Sequence, residues 1–181
     1  MRIRFFIGFS LFVLLVSCGC GGSSEIEMKQ AREAMDKAKS LRADDFAPTD
    51  FQQAQKAWDR GQAAEKEGKT STAKVLFTSA KIYFGKAADI ARAKKEALSR
   101  ELIAMQVMIS KNLDQVKSDL SKNGLSPKQR GQVETIVSQV EKDNDSISKL
   151  VIEEEFPKAI AMAKNVQTKI YHAQLILAGL K

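Results

Sequence analysis

Apolar residues recur along this chain at spacings of three and four, the signature of helices that bury one face. Ala31, Met35, Ala38 and Leu41 trace one such line, and Phe51, Ala54, Trp58 and Gly61 trace a second. A third line runs through Ala73, Leu76, Ala80, Phe84, Ala87 and Ala91. It is built mainly of alanine, whose small side chain lets helix axes approach closely. Past residue 97 it changes to larger aliphatics, from Leu98 and Leu102 through Met105, Ile109 and Leu113 to Val116 and Leu120. Val133, Ile136, Val137, Val140, Ile147, Leu150 and Val151 answer that stripe, and Phe156, Ala159, Ile160, Ala163, Val166, Ile170, Ala173, Leu177 and Leu180 form the last. Nothing reads as a strand.

Punctuation sharpens the pattern. Proline is tolerated in the first turn of a helix and not in its interior, and Pro48, Pro127 and Pro157 each stand where a stripe begins. Thr49-Asp50-Phe51-Gln52 and Ser126-Pro127-Lys128-Gln129 have the form of capping boxes. Glu153-Glu154-Glu155 places acids at a third start, where the helix dipole favours them. Gly68 and Asn123-Gly124 suit left-handed helix ends. The prediction is five helices, over residues 25–44, 49–67, 70–122, 127–151 and 155–180.

The expected fold is all-α, an elongated antiparallel, coiled-coil-like helical bundle with no sheet. Residues 25–96 form an Ala-rich three-helix domain, and 97–181 form an antiparallel helical extension that shares the long third helix. Gly85, Lys94-Lys95 and the change of stripe near residue 97 are the places for a bend in that helix. Trp58 reads as core, with Phe77, Tyr83 and Phe84 filling wider gaps. The third and fourth helices should pair as a short antiparallel coiled coil, with Asn144 on its stripe as a polar register mark.

At 181 residues, 44% hydrophobic and 28% charged, the chain has enough apolar surface for a core of this kind. Both cysteines, Cys18 and Cys20, fall within the first twenty residues, and His172 is the single histidine. That leaves the body without a disulfide, a catalytic thiol or a multi-histidine metal site. Gly68-Lys69-Thr70 lacks the earlier glycine and the preceding strand of a phosphate-binding loop. Ser71-Thr72-Ala73-Lys74 and Ser146-Ile147-Ser148-Lys149 lack the partner motifs of penicillin-recognising enzymes. Consecutive glutamates at 153–155 diverge around a helix and do not converge on one cation. The expectation is no catalysis, no metal and no cofactor.

The amino terminus carries the most specific signal. Arg2 and Arg4 precede an apolar run from Phe5 to Val16, the form of an export signal. The segment Leu15-Val16-Ser17-Cys18 resembles the bacterial lipobox. The resemblance implies a signal peptide over 1–17, with Cys18 as the first mature residue and the site of lipidation. Residues 18–24, Cys-Gly-Cys-Gly-Gly-Ser-Ser, then serve as a lipidated flexible tether. Gly19 stands where aspartate marks inner-membrane retention in enterobacteria, which favours the periplasmic face of the outer membrane. Removing residues 1–17 leaves 27 bases against 22 acids, an excess that suits acidic envelope material or a solvated surface.

Residues 31 to about 96 combine the Ala-rich first helix, the Phe46-Ala47-Pro48 connector, Phe51-Gln52-Gln53-Ala54-Gln55-Lys56-Ala57-Trp58, the Glu67-Gly68-Lys69 turn, and recurrent alanine from Ala73 to Ala93. With these features the segment resembles the bacterial lipoprotein domain of unknown function 4398, an Ala-rich helical hairpin of tetratricopeptide-like grammar. The domain often accompanies a peptidoglycan-binding domain, and no segment here resembles that domain's binding loop. The resemblance brings no catalytic residues.

The expected function is therefore that of a lipid-anchored periplasmic envelope protein with a structural or adaptor role. The alternative is a binding module for peptidoglycan or another cell-envelope polyanion. Leu175 and Ile176 lie off the main stripe of the last helix and mark a contact with an envelope protein or with a second copy. Export makes nucleic acid an implausible partner.

Overall fold

The computed structural model describes residues 23–122 and 124–179. Among them the chain forms α1 (Glu25–Ser40), α2 (Ala43–Phe46), α3 (Pro48–Lys66), α4 (Thr70–Leu120), α5 (Pro127–Ile152) and α6 (Phe156–Leu177), and no strand. The all-α, bundle-like prediction holds. Helix α4 runs unbroken through Gly85, Lys94-Lys95 and residue 97, and its 51 residues are about 75 Å long.

Two three-helix packings share that rod. Along its first half, α1 lies parallel to α4, with Lys81 Nζ donating to Gln30 Oε1 at 2.9 Å. Helix α3 lies antiparallel, with Asp50 paired to Lys86 at 2.8 Å and Trp58 against Phe77. Along the second half, α6 runs parallel to α4 and α5 antiparallel to both. The buried positions repeat by sevens: Ala73, Ala80 and Ala87; Leu102, Ile109 and Val116; Val133, Val140 and Ile147; Ala159, Val166 and Ala173. A strict heptad is the geometry of gently supercoiled bundles.

Local chemistry explains the boundaries. Ser126 and Gln129 make the expected capping box, Ser126 Oγ accepting from Gln129 N and Gln129 Oε1 accepting from Ser126 N. Gly68, at φ +71°, ends α3 in a Schellman turn, with Gly68 N donating to Glu65 O and Lys69 N to Ala64 O.

Several expectations need correction. The first helix stops at Ser40 rather than 44, because Arg42 turns left-handed (φ 54°) and a separate one-turn helix, α2, follows. Thr49 is not a cap: α3 already starts at Pro48, with Ala47 before it and no side-chain cap. Tyr83 is exposed rather than core. In the second bundle α6, not α5, is the close neighbour of α4, since Ala159, Ala163 and Ala173 let its axis approach. The polar link between α5 and α6 is Asp143 with Lys169 at 2.6 Å, one residue away from Asn144.

The bundles meet at a waist where no α4 residue between Ala91 and Leu102 is fully buried. The spacing of four and three that carries the core along α4 from Ala91 to Leu98 passes through Lys95. Its side chain, only 14% exposed, pairs with Glu154 Oε2. Glu154 ends α5 in a second Schellman turn, Glu155 N donating to Leu150 O, at φ 58° without being a glycine. Arg42, the other left-handed non-glycine among the described residues, donates from Nη1 to Glu154 O and pairs through Nη2 with Glu155. The two strained residues therefore touch, tying the α1–α2 turn to the α5–α6 turn. The three glutamates serve this turn, as C-cap, left-handed residue and N-cap; the first turn of α6 itself carries no acid. Glu155 is held below the usual carboxylate range, chiefly by its hydrogen bond from Lys158 and then by Arg42.

Candidate functional site

The start of α1 and the α3–α4 turn lie together at one end of the rod, where Ser24 Oγ donates to Glu65 Oε1 at 2.6 Å. The start of α5 and the end of α6 lie at the other end. A heptad-spaced hairpin brings them together, because α5 and α6 run antiparallel from the waist and α5 begins beside the end of α4. Arg130 Nη1 fixes that corner by donating to Leu120 O at 2.9 Å.

On α6, His172, Leu175 and Ile176 fall at positions i, i+3 and i+4, a single helix face, and Gly179 follows in the left-handed turn after the helix ends. They line a groove of about 450 Å³ whose opposite wall is Lys128, Gln129 and Gln132 of α5. A second depression of about 280 Å³ continues it past Ile136, again sharing His172 and Ile176. Leu175 and Ile176 are half-buried. Ile176 packs against the core, whereas Leu175 is not among the core's packed neighbours. The groove is apolar on its floor and carries one lysine, two glutamines and an exposed imidazole on its walls. That chemistry suits docking of an amphipathic segment. No carboxylate lines it to orient His172, and among the described residues no group of three or more His, Cys, Asp or Glu gathers as metal ligands would.

The structure thus brings Leu175 and Ile176 into one concave surface and adds His172, Gln132 and Ile136, which sequence reasoning had not grouped with them. The available signal was the i, i+3, i+4 spacing of His172, Leu175 and Ile176. The facing wall on α5 has no sequence signal, since it depends on the register between helices. Cys18, the expected lipidation site, lies outside the described residues. No described helix is long and apolar enough to cross a membrane. The loop-like Gly68-Lys69-Thr70 is the α3–α4 turn, where Lys69 pairs with Glu67 at 2.7 Å.

Residues 27–107 match the family model described as Domain of unknown function (DUF4398). The match takes in α1 from Glu27, α2, α3 and α4 as far as Val107, so it crosses the waist, and it leaves α5, α6 and the groove outside. No curated protein and no solved structure matches the chain.

Proposed function

We propose that this protein is a lipid-anchored spacer and adaptor of the bacterial cell envelope, fixed through acylated Cys18 on the periplasmic face of the outer membrane. The observation that carries the reading is the placement of its two ends. The chain leaves the expected tether where α1 begins, and the groove with Leu175 and Ile176 sits at the far end of a rigid helix of 51 residues. A lipidated cysteine supplies attachment through acyl chains worth ~0.8 kcal/mol per buried CH₂. The α4 rod supplies reach, and the ion-paired waist keeps the two bundles in line. The groove supplies recognition of an apolar, helical or extended segment of an envelope protein. No step of this role requires bond chemistry.

The test is in-cell crosslinking of the intact lipoprotein followed by mass spectrometry, with Cys18→Ala and Leu175→Glu in parallel. One dominant envelope protein, lost in both variants, is the expected result. Salt-sensitive co-sedimentation with isolated sacculi, unaffected by Leu175→Glu, would move the assignment to the polyanion-binding alternative.

A further inference from the structure

The second half of α4 has an apolar line on the wrong side for its own core. Ile103 and Val107 are 57% and 63% exposed. At about 100° per residue, Met105, Ile109 and Val116 lie about 160–180° around the helix from Val107. Val107 therefore points directly away from the α5–α6 bundle, with Ile103 one turn below it and the small Ala104 and Ser110 beside it. No other described helix covers this face.

The charges that bracket the patch are arranged about Val107 as a centre. Arg100 stands seven residues before it and Asp114 seven after, both within about 20° of the Val107 direction. Both lie on the solvent side of the helix, and among the described residues neither takes part in an ion pair. From this placement we infer that the face binds a second copy of the chain, antiparallel, with the two-fold axis passing at Val107. In that arrangement Arg100 of each copy meets Asp114 of the other, two pairs from one contact because the interface is isologous. Ile103 packs under the alkyl stem of Lys111 from the other copy. A parallel pairing sets Arg100 against Arg100 and Asp114 against Asp114, so the charges select the antiparallel one.

A single helix-to-helix contact falls below the ~1,200 Å² typical of stable interfaces, so the dimer dissociates on the order of 100 µM. The site lies on the flank of the rod and is independent of the tip groove. Val107 is about 55 Å along α4 from Thr70, which separates the two tether ends of the dimer by about 110 Å. If both copies are anchored as proposed above, that separation lays the paired rods along the membrane surface.

Sedimentation equilibrium of the full chain in detergent with reductant, up to about 500 µM, tests the pairing. Wild type is expected to dimerise, and Arg100→Asp and Asp114→Arg to weaken dimerisation tenfold or more. Mixing the two variants should restore it, since the first chain then brackets its patch with two acids and the second with two bases. Val107→Asp, with helicity checked by circular dichroism, should abolish it. A monomer throughout, a dimer indifferent to either reversal, or a mixture that fails to recover would each overturn the inference.

Discussion

Gly61 is the position where packing and helix propensity oppose each other most clearly. In a helix interior, alanine is favoured over glycine by about 1 kcal/mol. A Cβ on Gly61 would stand 2.9 Å from two ring carbons of Phe77 and 3.3 Å from a third. That ring has no room to retreat, being fully buried and tilted against Trp58 with centroids 5.2 Å apart. The indole is itself capped by the Arg32 guanidinium, 5.8 Å above its ring. Overpacking of this kind costs about 1–3 kcal/mol, so Gly61→Ala should come out between neutral and about 2 kcal/mol destabilising. Gly85 in α4 is the internal comparison, because a Cβ there meets nothing within 4 Å. Gly85→Ala should therefore stabilise by about 1 kcal/mol. Thermal denaturation followed by circular dichroism separates the two, at about 2–4 °C per kcal/mol for a domain of this size. The penalty of Gly61→Ala should shrink in a Phe77→Leu background if the ring is its cause. A Gly61→Ala variant that gains as much as Gly85→Ala would refute the close approach of α3 to α4.

Other outcomes follow from the turns and the ion pairs. Glu154→Ala and Glu154→Gly both remove the pair with Lys95, but only glycine relieves the left-handed backbone, so the glycine variant should be more stable by about 1 kcal/mol in urea denaturation. Ser126→Ala should lose about 1 kcal/mol with the capping box, while Thr49→Ala stays within about 0.5 kcal/mol, since Thr49 caps nothing. Burial pushes the Asp143 carboxyl up, but hydrogen bonds from Lys169 and Gln139 outweigh it and hold the group below its ordinary value of 3.8. A depressed folded-state pKa means stability that is present above 3.8 and lost as pH falls through the lower folded value. Asp143→Asn should accordingly flatten the acid limb of a stability-versus-pH curve.

Much of the fold was legible because helices are specified by short-range rules. Spacings of three and four placed every long helix. Ser126, Gly68 and the three prolines set most ends to within a few residues, since a cap or a missing N–H acts within one turn. The failures came where two local signals competed. Thr49 and Pro48 both offer to start α3, and proline prevailed because its fixed φ suits the first helical residue. Arg42 and Glu154 carry no glycine signal, and their left-handed conformations are held by tertiary contacts at the waist, Arg42 with Glu154 O and Glu155, and Glu154 with Lys95.

The candidate site divides along the same line. Leu175 and Ile176 stood out from the sequence because they fall off their own helix's stripe. The groove they line exists only because α5 meets α6 in one register, and register is a property of the packed core. The same holds for Ile103 and Val107, whose line in the sequence merges with the Leu102–Met105–Ile109 stripe. The folded bundle covers one side of α4 and leaves the other bare. A linear sequence thus determines which residues are apolar and at what period. Which of two apolar faces is buried is decided by the helices that reach it, and that depends on contacts between residues far apart in the chain.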